Sequence, residues 1–527
     1  MQNKGAGKGS RQLVVGIDAM EWSLVEKWAN EGKLPTFRRL IAQGARAELT
    51  TTAAQLPDTV WACIYTGTNP GKFEKFFYVQ YDAATMGLRN VPDDAIRRTP
   101  FWDYLSAAGL RVGVADVAKF PLSKSINGFQ FTNWGAHATK TARTSFPATL
   151  IKDIDARFGR HPVGDCDKFD AKPESLRELR RRVVDGVRAH GEVFRWLMRE
   201  QQWDLFFAGF SAAHCIGHHF WHGVDPSHPR HEESVRDGFA GTMEEVYSAI
   251  DREIGEMIAL VDAHTRVMIV SGHGMGPIFH ASWNLPEMLD LWGYGTKPAS
   301  KVSANGKPNQ AKVNPWRILK MIVPGPVQYA IKARLPQFAQ DQLLFLWYRG
   351  GKKWKGSRAF AIPNNDSVGA IRVSVKGRDH GGVVDPVDYQ RVCRDIADAL
   401  YELRDKEGGR QLVRQVTLTH ETFHGPFLEQ LPDLTVLWDQ SFAWDTIYSP
   451  RFGTLQIKQQ DARTGGHSSH GFVLMTGQDI PVGVELPRSS IYDIAPTVLQ
   501  AANVPIPQDM DGSPLPIHAA VTTGVLS

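Results

Sequence analysis

Four short apolar runs in this chain are each joined to an acid or a histidine. Leu13 to Ile17 ends at Asp18. Asp204 to Phe210 runs into Ser211-Ala212-Ala213-His214-Cys215-Ile216-Gly217-His218. Arg266 to Val270 runs into Ser271-Gly272-His273-Gly274-Met275. Gly465-Gly466-His467-Ser468-Ser469-His470 leads directly into Gly471 to Met475. Runs of this length, alternating with helical patterns, predict strands of a mostly parallel sheet covered on both faces. Ligands of such sheets bind beyond the carboxyl ends of the strands. The pattern therefore predicts one rim that gathers Asp and His from four separate elements.

The helices between these runs are legible from their 3.6-residue period. They are expected at Phe101 to Ala108, Glu174 to Glu200, Ala240 to Leu260, Pro386 to Glu407 and Ile491 to Ala502, with further strands at Arg111 to Val117, Ala370 to Val375 and Asp433 to Leu437. Near Leu291 the character changes. Residues 291–357 are rich in Gly, Pro, Asn, Lys and Arg around two amphipathic patches, Trp316 to Ala333 and Gln340 to Tyr348. The expected organisation is a core first part over 1–290, an inserted cap over 291–357, and a core second part over 358–527.

The balance of charge excludes some functions. Among 527 residues the formal net charge is +4, with basic and acidic side chains interleaved. A nucleic-acid binder would concentrate its basic residues in a stripe, so none is expected as a partner. No apolar stretch approaches the roughly 20 residues of a membrane span. The polar N-terminus carries no signal-peptide pattern. Four scattered cysteines do not make a disulfide framework. These features predict a soluble, cytoplasmic protein.

His214 and His218 stand four apart. On a helix that puts both imidazoles on one face, one turn apart, the spacing by which two side chains grip one zinc ion. A histidine-rich stretch (His214, His218, His219, His222) is equally a polar helix face. Asp18, His273 and His467 at neighbouring strand ends favour the metal reading.

The order of motifs resembles the alkaline phosphatase superfamily, on its type I phosphodiesterase / nucleotide pyrophosphatase branch. The resemblance is carried by Gly16-Ile17-Asp18, by Leu34-Pro35-Thr36-Phe37, and by Trp61 to Tyr65 with Thr66-Gly67-Thr68-Asn69-Pro70-Gly71-Lys72. It continues through Ser271-Gly272-His273-Gly274-Met275, Leu431-Pro432-Asp433-Leu434, Asp493-Ile494-Ala495-Pro496-Thr497 and Asp511-Gly512. It implies an alkaline-phosphatase-like three-layer α/β sandwich and two metal ions flanking a phosphoryl group. One ion would be held by His214, His218 and His467. The other would be held by Asp18, His273 and a nucleophilic hydroxyl, for which Thr59 is the candidate.

Three departures bear on the chemistry. His214 stands where the family has Asp, and three neutral imidazoles suit zinc. Gly272 stands where the family has a second Asp, which predicts a weak second site for Zn2+ or Mn2+, or one completed by Asp58 or His470. Pro57 occupies the usual place of the nucleophile, and Thr59 is the nearest hydroxyl; it equally suits an N-cap of the helix that follows. The expectation is a metal-dependent hydrolase or transferase of a small or conjugated phosphate ester, a diester or pyrophosphate. The alternatives are a hydrolase or transferase of a non-phosphate ester on a single tri-histidine zinc, and a non-catalytic metal-binding relative. Arg372 and Arg378 either clamp an anionic substrate or pair with nearby acids. His137 is a candidate pocket residue. Asp225, His222 and His228 read as a solvated loop or as supports for the ligands.

Overall fold

A computed structural model describes residues 10–135, 142–296, 354–365, 367–457 and 463–517. His137 and both amphipathic patches of the inserted segment lie outside the described residues. The opening strand Gln12–Ile17 is buried along its whole length. Its side chains alternate between two cores. Leu13, Val15 and Ile17 face one, and Val14 faces the other. A strand buried on both faces needs apolar residues at nearly every position, which is why the run reads as continuous rather than alternating.

This strand lies in a ten-stranded sheet. It pairs in parallel with Leu205–Phe210 on one side and with Arg266–Ser271 on the other. Val112–Ala115 and Gly128–Thr132 extend the parallel ladder. Gly471–Thr476 runs antiparallel to both Arg266–Ser271 and Ala45–Thr50, so the sheet is mixed, though mostly parallel. On one face pack the helices Pro173–Glu200, Ala212–Val224 and Thr242–Ile258. On the other pack Val60–Thr66, Phe101–Ala107 and Ile494–Ala501. The result is the three-layer α/β sandwich.

One part of the pattern resolves differently. Val368–Val373 and Leu434–Trp438, read as strands of a resuming α/β alternation, pair antiparallel to each other in a separate four-stranded sheet. The helix Tyr389–Tyr401 buries Val392, Cys393, Ile396 and Leu400 in a core shared with this sheet. Apolar runs report burial, and do not by themselves choose a partner strand. The helix is also shorter than expected, beginning after a 3-10 turn at Pro386–Asp388 and ending at Tyr401.

The four cysteines are buried and none is joined in a disulfide among the described residues. Among the described residues no helix is long and apolar enough to cross a membrane.

Candidate metal centre

The rim is built where strands of the sheet end or turn back. The strand Leu205–Phe210 passes at Ser211 into the helix Ala212–Val224, which carries His214 and His218 one turn apart. Beyond the strand Arg266–Ser271, Gly274–Pro277 turns back and pairs antiparallel with Gly465–Ser468, with Met275 opposite His467. This ribbon brings His273 and His467 together, their ring centroids 4.4 Å apart. Gly465 permits the close approach. A Cβ there would stand 2.2 Å from the Gly217 carbonyl oxygen on the histidine helix, and the Thr464 amide donates to His218 O at 2.8 Å.

The imidazoles of His214, His218 and His467 converge. Nε2 of His214 lies 3.2 Å from Nε2 of His218 and 2.9 Å from Nε2 of His467. All three side chains are buried. His218 Nδ1–H donates to the Gly465 carbonyl at 2.8 Å, which leaves its Nε2 as a lone pair aimed at the cluster. Burial chiefly, and then the neighbouring His273 and His218, hold the His467 imidazole well below the usual histidine range. Lone pairs on buried, neutral imidazoles repel one another unless a cation lies among them. The spacing is close to the roughly 3.4 Å separation that tetrahedral Zn–N bonds of about 2.0–2.1 Å require. The donor set fits zinc.

Asp18 and His273 form an adjoining pair. His273 Nδ1–H donates to Gly274 O at 3.1 Å, which turns Nε2 towards Asp18 Oδ1 at 3.5 Å. The Trp61 indole N–H donates to the same oxygen at 2.8 Å. Burial opposes ionisation of Asp18, but His273, Lys119 and Trp61 outweigh it and hold its carboxyl well below the usual carboxylate range. The remaining sequence candidates divide. Thr59 is buried at the N-cap of Val60–Thr66 without capping it through its side chain, and its hydroxyl donates to Leu56 O at 2.8 Å and lies 3.0 Å from Thr52 Oγ1. Asp58 is ion-paired with Lys119. The His470 ring is half-exposed, 3.8 Å from Glu48.

Other charges read in the sequence turn out to be internal. Arg372 is almost fully buried and bonds Asp379 at 2.9 Å and the carbonyls of Glu429 and Leu431. Arg378 grips Asp433 with two bonds, at 2.7 and 2.9 Å. Both arginines serve the antiparallel sheet. His222 and His228 are buried rather than solvated, and His222 Nδ1 meets Thr464 Oγ1 at 3.0 Å, beside the strand that carries His467.

Glu21 escaped the sequence reading. Its Oε2 accepts from Ser468 Oγ at 3.0 Å and from Met275 N at 3.2 Å, and its own amide donates to Tyr247 OH at 3.0 Å. It thus joins the segment carrying Asp18 to both strands of the ribbon. Its only signal was an acid three residues past Asp18, at the N-cap of the helix Trp22–Asn30.

Comparisons with known proteins bear on the family and the fold. The type I phosphodiesterase / nucleotide pyrophosphatase family profile matches residues 12–471. Among solved structures, human ectonucleotide pyrophosphatase / phosphodiesterase 5 is similar over 95% of this chain and 97% of its own, at 13% identity and a TM-score of 0.50. Phosphonoacetate hydrolase from Sinorhizobium meliloti, in complex with phosphonoacetate, is similar over 94% of this chain and 96% of its own, at 14% identity and a TM-score of 0.54. No curated protein sequence matched.

Proposed function

Because this chain belongs to the type I phosphodiesterase / nucleotide pyrophosphatase family, a family of hydrolases, we propose that it hydrolyses a phosphodiester or pyrophosphate bond at the histidine rim, with zinc held by His214, His218 and His467. The observation that carries this reading is the convergence of one nitrogen from each of the three imidazoles within 4.8 Å of one another in a buried site. When bound there, zinc supplies Lewis acidity to a phosphoryl oxygen.

The chain's own residues do the rest. Asp18 stays ionised against His273 and Trp61, which fixes a negative charge beside the histidine cluster. Gly465 O sets the tautomer of His218, as carbonyl partners of ligating histidines commonly do. Thr59 is the proposed nucleophile. For attack its hydroxyl must leave Leu56 O and turn towards the rim; its oxygen bonds to phosphorus as its proton passes to solvent and the P–O bond to the leaving alcohol or phosphate breaks, and water then cleaves the phosphothreonine and restores the hydroxyl. The substrate is a small or conjugated phosphate ester. Four buried cysteines outside any disulfide suit a reducing compartment such as the cytoplasm.

The test is release of nitrophenol from bis-nitrophenyl phosphate by the purified full chain, metal-stripped and then reloaded with zinc. Turnover that appears with zinc and is lost in His218→Ala supports the reading. No turnover with zinc bound opposes it.

A specific observation favours a second reading. The Thr59 hydroxyl is already engaged by a carbonyl. A chain that binds zinc but cleaves only a carboxylic or sulfate ester, with Thr59→Ala unchanged, would fit that alternative.

A further inference from the structure

The strand Val112–Ala115 pairs with Leu205–Phe210 on the side away from Gln12–Ile17. It ends in Asp116, a buried aspartate with a φ of 54°. Asp and Asn adopt this left-handed conformation more readily than other residues with a Cβ. The carboxylate meets three donors. Its Oδ1 accepts from Trp134 N at 2.9 Å, and its Oδ2 accepts from Gly135 N at 2.6 Å and from His190 Nε2 at 2.8 Å. His190 is itself buried, on the helix Pro173–Glu200. A carboxylate taken out of water needs such partners, and here all of them come from other elements of the fold.

Trp134 and Gly135 lie just past the strand Gly128–Thr132, so one side chain joins the ends of two neighbouring strands to a covering helix. The space around Gly135 is closed. A Cβ there would stand 2.4 Å from His161 Cδ2 and 2.6 Å from His190 Cε1. The Gly135 carbonyl, fixed in this way, accepts from Ser211 Oγ at 2.7 Å. Ser211 is the single residue between Leu205–Phe210 and the helix Ala212–Val224, and its hydroxyl goes to Gly135 without capping that helix. Two residues earlier, a Cβ at Gly209 would stand 2.6 Å from the Asp116 carbonyl oxygen, so the two strand ends are also in direct contact. Asp116, Ser211 and Asp18 line one crevice.

We propose that Asp116 is a positioning residue of the metal centre: by fixing the Gly135 carbonyl it anchors Ser211, and through Ser211 it sets where the histidine helix starts and where His214 and His218 meet His467. The inference rests on the tri-histidine cluster being a zinc site. Ser211 stands three residues before His214, within the first turn of the helix. Zinc–nitrogen bonds of about 2.0–2.1 Å leave little tolerance for a helix that starts elsewhere. A buried polar network that served stability alone could be replaced by apolar side chains at little loss. The consequence of this one is therefore read in metal affinity.

Zinc affinity of the full chain, by competition against a chromophoric chelator, tests this in Asp116→Asn, Ser211→Ala and the double variant. Asn keeps the size of the side chain and tolerates the left-handed backbone. Each single variant should bind zinc about 10–100-fold more weakly. The losses should not add. Without the Ser211 hydroxyl Asp116 has nothing to act through, so the double variant should match Ser211→Ala within about twofold. Cobalt loaded in place of zinc should show an altered visible spectrum in both single variants, since that spectrum follows ligand geometry. If Asp116→Asn does not fold, His190→Phe replaces it in the cycle, with a smaller loss and the same non-additivity. Wild-type affinity in either single variant, or losses that multiply in the double variant, overturns the proposal and leaves the tri-histidine reading standing. No zinc bound by the wild type overturns both.

Discussion

The Glu21 carboxylate accepts a hydrogen bond from the Ser468 hydroxyl at 3.0 Å. That bond spans most of the chain, and it ties the segment after Asp18 to the strand that presents His467. Since the same oxygen takes the Met275 amide, Glu21 sets the spacing of the rim without contacting the histidine cluster. Glu21→Ala should weaken zinc binding about 10–100-fold, the usual effect of removing an orienting partner. Competition against a chromophoric chelator measures it. Affinity equal to wild type would show that the ribbon positions itself.

Loss of a ligand should act on folding as well as on binding. Zinc that binds only the native state stabilises by about 2.7 kcal/mol at 100 times Kd. Thermal unfolding of the wild type should therefore shift upward with added zinc. His214→Ala and His218→Ala should lose the shift while unfolding at temperatures near that of metal-free wild type. A shift that persists in both variants would place the zinc elsewhere.

How much of this was legible beforehand differs from residue to residue. His214 and His218 declared themselves through their spacing on one helix, and Asp18, His273 and His467 through their places at strand junctions. Glu21 did not, because its role depends on which distant segments meet, and local pattern carries no such information. Arg372 and Arg378 looked like candidate anion clamps only while Asp379 and Asp433 had no place in space. The antiparallel pairing of Val368–Val373 with Leu434–Trp438 was hidden for a related reason: an apolar run shows that it is buried, and does not show against what.

Gly272→Ala should be costly although it adds one methyl group. Val60 Cγ1 stands 2.3 Å from the new Cβ, so the helix Val60–Thr66 must shift, at about 1–3 kcal/mol for overpacking. Urea unfolding would show it, and Val60→Ala combined with Gly272→Ala should recover part of the loss. An unchanged midpoint in the single variant would contradict the packing described here.

Metal-free protein should lose stability as pH falls. Burial chiefly pushes His222 down to about 4 and His161 well below the ordinary range. Both are neutral in the fold and in the unfolded chain above about pH 6.5, so they contribute no pH dependence there. Below that pH the unfolded chain takes up protons that the fold refuses, and stability drops by up to about 1.4 kcal/mol per proton and pH unit. Denaturation midpoints at pH 7.5 and pH 5 should differ in that direction, and His222→Gln should shrink the difference. Equal midpoints would refute it.

X-ray absorption at the zinc edge of the loaded protein reads the ligands of the ion itself. Zinc held by the histidine cluster should show three imidazole nitrogens at about 2.0–2.1 Å, with the signal lost when His214, His218 and His467 are replaced together. A shell dominated by carboxylate oxygen or sulfur, or an unchanged spectrum in the triple variant, would contradict it.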